Sequence, residues 1–392
     1  MINILAFAAG KVRPADRDAL WQLYELTSGH AWKLRGNWAA DGDPCAINAR
    51  WAGVGCTDPC ERWQDGEDCA LGRVSALSLD YNQLDGDVSN WTMLSELHNM
   101  TILDLSGNSL RGSLPTQIGN VNNLETLTLL RNSLEGTLPT ELGSINAPSY
   151  AFTLREISAA SNRISGTLPS SIGLLTGLAS LNVRDNQLSG VLPTQLAGLG
   201  MLVVLHAQDN IGMEGTLPED LSGLSSLRYL DLARGRLSGT VPPSIGSLAL
   251  LQTLHLEENA VSGSLPSQLS ELGLLRTLKL ASNQLEGNLP VEVGKLRSLR
   301  VLDIYNNSMT GDVPESIRDL MELKELYLAN EHLLPLRKRY CGQRLPDNGK
   351  YNLLVIREEY DQMMNTYCPE DQLHSTEYTF RTLQDSGVYE VD

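Results

Sequence analysis

The chain has 392 residues, 42% of them hydrophobic and 5% aromatic, and a formal net charge of -17. A surface that acidic repels phosphate backbones, which argues against nucleic acid and makes basic or neutral partners electrostatically easier, although plain solubility accounts for the charge equally well. No window holds the ~20 uninterrupted apolar residues of a membrane span.

Residues 1–14 read as a leader remnant or a disordered end. Met1 to Gly10 is apolar and finishes in small residues, but it is short for a secretory leader and lacks a basic start. Residues 15–73 form a separate N-terminal module. Asp16 to Leu26 has apolar residues at 19, 20, 23, 24 and 26, the spacing of an amphipathic helix with an acidic first turn. All six Trp lie between Trp21 and Trp91, which sets this end apart in composition. The acidic loops Asp41-Gly-Asp43 and Asp65-Gly-Glu-Asp68 lack the ligand spacing of an EF-hand and are read as turns, with no metal site.

Six cysteines stand at the two ends: Cys45, Cys56, Cys60 and Cys69, then Cys341 and Cys368. An even number clustered this way indicates disulfides in an oxidising compartment. Zinc is disfavoured because no His lies between His30 and His98. Cys45–Cys56 and Cys60–Cys69 are the expected short-loop pairings, with crossed pairings left open, and Cys341 with Cys368 would tie down the far end.

Residues 74–331 repeat. Aligning Leu-x-Leu-x-x-Asn places Asn82, Asn108, Asn132, Asn162, Asn186, Asn210, Gly235, Asn259, Asn283, Asn307 and Glu331 at one position of eleven units. The spacing is 24 residues in most steps and 30 between Asn132 and Asn162. Such a period means leucine-rich repeats, an α/β solenoid with a parallel β-sheet on its concave face and caps at both ends. The Leu-x-Leu segment is a short strand with its leucines inward. The Asn side chain pairs backbone groups of neighbouring coils that would otherwise be buried unpaired. Gly235 breaks this ladder and Glu331 ends it, so a local weakness is expected at Gly235. The extra residues around Ala147 to Tyr150 should loop out on the convex side.

After each Asn comes x-Leu-x-Gly-x-Leu-Pro, as in Gly112-Ser-Leu-Pro115, Gly136-Thr-Leu-Pro139 and Gly166-Thr-Leu-Pro169. The pattern resembles the plant-specific class of leucine-rich repeat found in ectodomains of receptor-like kinases, in receptor-like proteins and in polygalacturonase-inhibiting proteins. Pro44-Cys45 and Trp51-x-Gly-Val-x-Cys56 are similar to the N-terminal cap of that family. Leu23-Tyr24, Thr27 and Gly29-His-Ala-Trp32 match a variant of the cap found in algal and protist proteins, and the Cys60 to Cys69 loop departs from the usual plant cap. The resemblance implies a second short strand at Gly-x-Leu-Pro, a superhelical twist and extracellular recognition.

Residues 332–369 are read as a C-terminal cap and 370–392 as a tail. Tyr351 to Tyr367 carries apolar residues at helical spacing, and Arg337-Lys-Arg339 reads as a solvated cap surface. No kinase signature is present.

The candidate site follows from the offsets. Residues between and beside the strand leucines face the concave surface, and in repeats five to eight they include Arg184, Asp185, His206, Asp209, Tyr229, Asp231, Arg234, His255, Glu257 and Glu258. Neighbouring strands lie ~4.8 Å apart, so these groups should converge into a polar recognition patch, unless they merely pair with one another. The column of residues between the leucines also contains Lys279, Asp303 and Tyr327. Asn90, Asn99 and Asn306 begin glycosylation triplets.

Catalysis is disfavoured. A glycosidase needs carboxylates flanking a cleft that desolvates one of them, and the motifs of nucleophilic, phosphate-binding and zinc-dependent enzymes are missing from the sequence. No cofactor is implied. The favoured function is extracellular or cell-surface recognition of a protein, peptide or glycan ligand by the concave face, with a co-receptor or assembly partner possible. The alternatives are a secreted inhibitor of a cell-wall hydrolase and a structural subunit of a matrix or multiprotein assembly.

Overall fold

The computed structural model describes residues 12–38, 42–46, 50–57, 73–145, 154–328 and 332–334. The expected loop around Ala147 to Tyr150, the Cys60, Cys69, Cys341 and Cys368 thiols, and the helix expected at Tyr351 to Tyr367 lie outside these residues. The chain divides into two compact units. Unit 1 runs to Glu214 and takes in Gly223–Leu227, while unit 2 comprises Gly215–Ser222 and everything from Arg228 onward.

Unit 1 begins with the helix Pro14–Leu26, the one α-helix among the described residues. Pro14 suits the first turn, where a missing N–H costs nothing. Asp16, Ala19, Leu20 and Leu23 are its buried residues. Asp16 is 1% exposed and does more than complement the helix dipole. It pairs with Arg13 at 2.7 Å and Arg73 at 3.5 Å, and it accepts the Val74 N–H at 3.0 Å. The helix is therefore fastened to the first strand of the array through a fully compensated buried charge. An aromatic cluster completes the cap, with the rings of Trp21, Tyr24, Trp32, Trp38 and Trp51 stacked or edge-on at 4.6–6.3 Å. Cys45 and Cys56 form a disulfide. Cys56 lies in strand Val54–Thr57, which pairs antiparallel with Arg73–Ser78 and so seals the open end of the main sheet.

From there the main strands run parallel and in register. In unit 1 they are Arg73–Ser78, Ile102–Asp104, Thr126–Thr128, Glu156–Ser158, Ser180–Asn182 and Val204–His206. In unit 2 they are Tyr229–Asp231, Thr253–His255, Thr277–Lys279, Val301–Asp303 and Glu325–Tyr327. The penultimate residue of every one of these strands is apolar and buried, from Leu77 to Leu326.

The Asn ladder works as the spacing predicts. Asn283 accepts the Val261 N–H at 2.9 Å and donates to the carbonyls of Leu256 at 2.9 Å and Leu280 at 3.1 Å. Gly235 has no side chain with which to continue it. The residue before the ladder position has a left-handed backbone in repeat after repeat: Arg131, Ser161, Asp185, Asp209, Arg234, Glu258, Ser282 and Asn306 lie at φ between 53° and 61°. The turn out of the main strand imposes that geometry whatever the side chain.

A second, lateral set of short strands forms at x-Leu-x-Gly. Strands Asp85–Asp87, Ser109–Ser113 and Ser133–Glu135 pair with one another. The single bridge Thr137–Ser165 then spans the repeat with the 30-residue step. In unit 2, Arg236–Gly239, Ala260–Gly263, Gln284–Gly287 and Ser308–Asp312 pair in sequence. Among the described residues the last lateral strand is His332–Leu334, which pairs with Ser308–Asp312 and lies in the segment read as a cap. The glycines of these strands are required. Gly263 has φ +71°, and a Cβ there would sit 2.8 Å from Thr240 Cγ2. Leu-Pro then leads into a 3-10 turn such as Ser267–Glu271, whose Leu269 N–H is received by the Pro266 carbonyl at 3.0 Å.

Candidate ligand-binding face

The ten candidate residues fall in both units. Unit 1 holds Arg184, Asp185, His206 and Asp209. His206 ends a main strand in register with Asn182, and Arg184 is half-buried. Asp185 and Asp209 occupy the left-handed position, where short polar side chains are favoured for backbone reasons alone.

Unit 2 holds the other six and gathers three of them. Asp231 and His255 are register partners, and His255 Nδ1 stands 3.4 Å from Asp231 Oδ2. Glu257 follows on the same face. The charged groups acting on it are His255 from its own repeat, Lys279 from the next and Asp231 from the one before. Tyr229 is 38% exposed at the margin. Arg234 and Glu258 are exposed at left-handed positions.

Burial changes the chemistry of this row. Desolvation holds the Glu257 carboxyl above the ordinary glutamate range, and Asp231 pushes it the same way against the opposing pull of His255, its own backbone N–H and Lys279. The atoms Glu257 Oε2 and His255 Nε2 are both buried with no hydrogen-bond partner. In the flanking repeats the position of Glu257 is taken by Ala233 and Ala281, 2% and 9% exposed. These small neighbours leave the carboxylate without a side-chain donor of its own.

The row extends beyond the expected repeats. Lys279 is in register with His255 and with Asp303, and Asp303 with Tyr327. Burial raises the Asp303 carboxyl, partly offset by the Tyr305 N–H at 3.1 Å and by Lys279. The Tyr327 hydroxyl, half-buried and donating to Glu325 at 3.2 Å, is pushed up to about 12. Lys279, Asp303 and Tyr327 belong to the column read from the sequence. Glu325 sits two places before it, on the same strand, and was legible only from the strand register.

Elsewhere, a groove of about 500 Å³ on the lateral strands of unit 1 is lined by Asp87, Ser89, Glu135, Arg163 and Gln187. The N–H and hydroxyl of Ser89 hold the Asp87 carboxyl below its usual range. Of the three glycosylation triplets, Asn90 and Asn306 are exposed. Asn99 is 8% exposed, with its amide oxygen against Arg73 at 2.9 Å. Among the described residues no group of three His, Cys, Asp or Glu side chains is placed to hold a metal ion, and no helix is long and apolar enough to cross a membrane.

The family model of the leucine-rich repeat matches residues 99–121, 226–248 and 298–320. The chain is built of leucine-rich repeats, and its similarity is to plant leucine-rich repeat proteins. This leucine-rich repeat chain is 31% identical to Receptor-like protein 47 of Arabidopsis thaliana over 121 residues, which is 30% of the chain and 13% of that protein. It is similar to the plant peptide hormone receptor RGFR1, solved in complex with RGF2, at 31% identity and a TM-score of 0.63 over 70% of this chain and 42% of that one. It is likewise similar to the Arabidopsis receptor kinase HAESA, solved with the peptide hormone IDA and the co-receptor SERK1, at 30% identity and a TM-score of 0.64 over 82% of this chain and 54% of that one. It thus spans 13% of the curated relative and 42% and 54% of the two solved chains.

Proposed function

We propose that this leucine-rich repeat protein is an extracellular recognition module that binds a peptide or protein on its main-sheet face, without catalysis. The observation that carries the reading is the pair of buried, unpartnered atoms His255 Nε2 and Glu257 Oε2 in a row of charged side chains. Leaving those atoms unmet has a stability cost that a ligand can repay. The similarity to ectodomains solved with peptide hormones supports a peptide in preference to a glycan. The Cys45–Cys56 disulfide supports an oxidising compartment.

Selection of a random-sequence peptide display library on the purified protein tests the reading. Selected peptides should lose binding when Asp231, Glu257 or Asp303 is changed to Lys, and keep it when the lateral-sheet Asp85 is changed. Peptides that bind all four variants alike would place the site elsewhere.

A further inference from the structure

The row Asp231, His255, Glu257, Lys279 and Asp303 is unevenly charged. Three carboxylates face one ammonium and one imidazole, with Glu325 adding a fourth carboxylate beyond Asp303. Lys279 stands between Glu257 and Asp303 and acts on both, while His255 is turned to Asp231 by its Nδ1. Glu257 therefore keeps an oxygen that nothing in the protein satisfies, although a carboxylate is an obligate acceptor. Alanines stand at its position in both flanking repeats. The whole chain, at -17, favours the approach of a basic partner.

We propose that this row receives an Arg or Lys side chain of the peptide partner, with Glu257 as its acceptor. This rests on the reading of the face as a peptide site and adds the charge of the ligand and the direction of the pH effect. A cation beside Glu257 stabilises the ionised form that burial disfavours. Affinity must then rise with pH through the range in which free Glu257 ionises, because only there does binding displace a proton. The groups facing Glu257 are Asp231 in the preceding repeat, His255 in its own and Lys279 in the following one. Lys279 competes with the ligand for the same carboxylates, so its removal should strengthen binding of a cation and weaken binding of an anion.

The test uses the full chain and three repeat peptides of equal length, Gly-Arg, Gly-Glu and Gly-Gln. Binding is followed by calorimetry in two buffers of different ionisation enthalpy, which counts protons released. The Gly-Arg peptide should bind best, more tightly at about pH 8 than at about pH 5, with net release of protons between the two. Glu257→Gln should abolish the pH dependence and most of the affinity, Lys279→Met should bind Gly-Arg more tightly, and Asp85→Asn should match wild type. Failure of wild type to bind Gly-Arg, equal affinity at both pH values, or equal affinity in Glu257→Gln overturns the proposal. Library-selected peptides that need this face but carry no cation and release no proton overturn it as well, while leaving the peptide-binding reading standing. Selected peptides indifferent to charge reversal in the row remove both.

Discussion

His255 Nδ1 and Asp231 Oδ2 lie 3.4 Å apart at matching register positions of neighbouring strands. That contact fixes the ring and turns Nε2 to the other side, where it is buried and unmet. Two residues past the end of that strand comes Glu257, whose carboxylate is also short of a partner. Function is therefore expected to conflict with stability at this row.

The first consequence concerns Glu257 and pH. Its folded-state carboxyl is raised above the ordinary value, chiefly by burial. The folded protein thus holds a proton that the unfolded chain releases at lower pH. Stability from this group is complete below the unfolded value and is lost as pH rises through the folded one. Glu257→Gln should stabilise the protein by roughly 1 kcal/mol at about pH 8, the low end of the cost of an unmet buried polar atom, and leave it nearly unchanged at about pH 4. Thermal unfolding at the two pH values checks this, and destabilisation at the higher one would refute it.

Asn283 carries a second expectation. Its side chain serves the Val261 N–H on one coil and the Leu256 and Leu280 carbonyls behind it. Asn283→Ala strands those groups and should cost about 2 kcal/mol in urea unfolding. Hydrogen exchange should show the Val261 amide losing protection first.

At the cap, Asp16→Ala removes the partner of Arg13 and Arg73 and the acceptor of the Val74 N–H. A buried charge left without its partner costs about 3–5 kcal/mol. Chemical denaturation should show that loss, and a drop under about 1 kcal/mol would mean that solvent reaches the cluster freely.

The repeat register was readable because each buried Leu and ladder Asn recurs at a fixed offset, so Asp231, His255 and Glu257 could be placed on one face from spacing alone. Their energetics were not readable. Lys279 and Asp303 look like ordinary solvated charges in a string of letters, and it takes the packed sheet to bury the Asp303 carboxyl. The left-handed position was equally hidden. Arg131, Ser161 and Glu258 do not advertise a positive φ, yet the turn imposes one on each. For that reason Asp185, Asp209, Arg234 and Glu258 are weaker evidence of a ligand than their charges suggested. Asn99 forms a glycosylation triplet in one dimension and a packed partner of Arg73 in three.

The affinity of one display-selected peptide for three proteins tests the central claim most directly: wild type, Asp303→Lys on the main-sheet row, and Asp85→Lys on the lateral strands. Circular dichroism at the assay temperature should show all three folded, so that folding is not the variable. The account predicts binding at least about tenfold weaker in Asp303→Lys, the scale set by a reversed charge in an interface, and wild-type affinity in Asp85→Lys. Equal affinity in all three, or selective loss in Asp85→Lys, would contradict it.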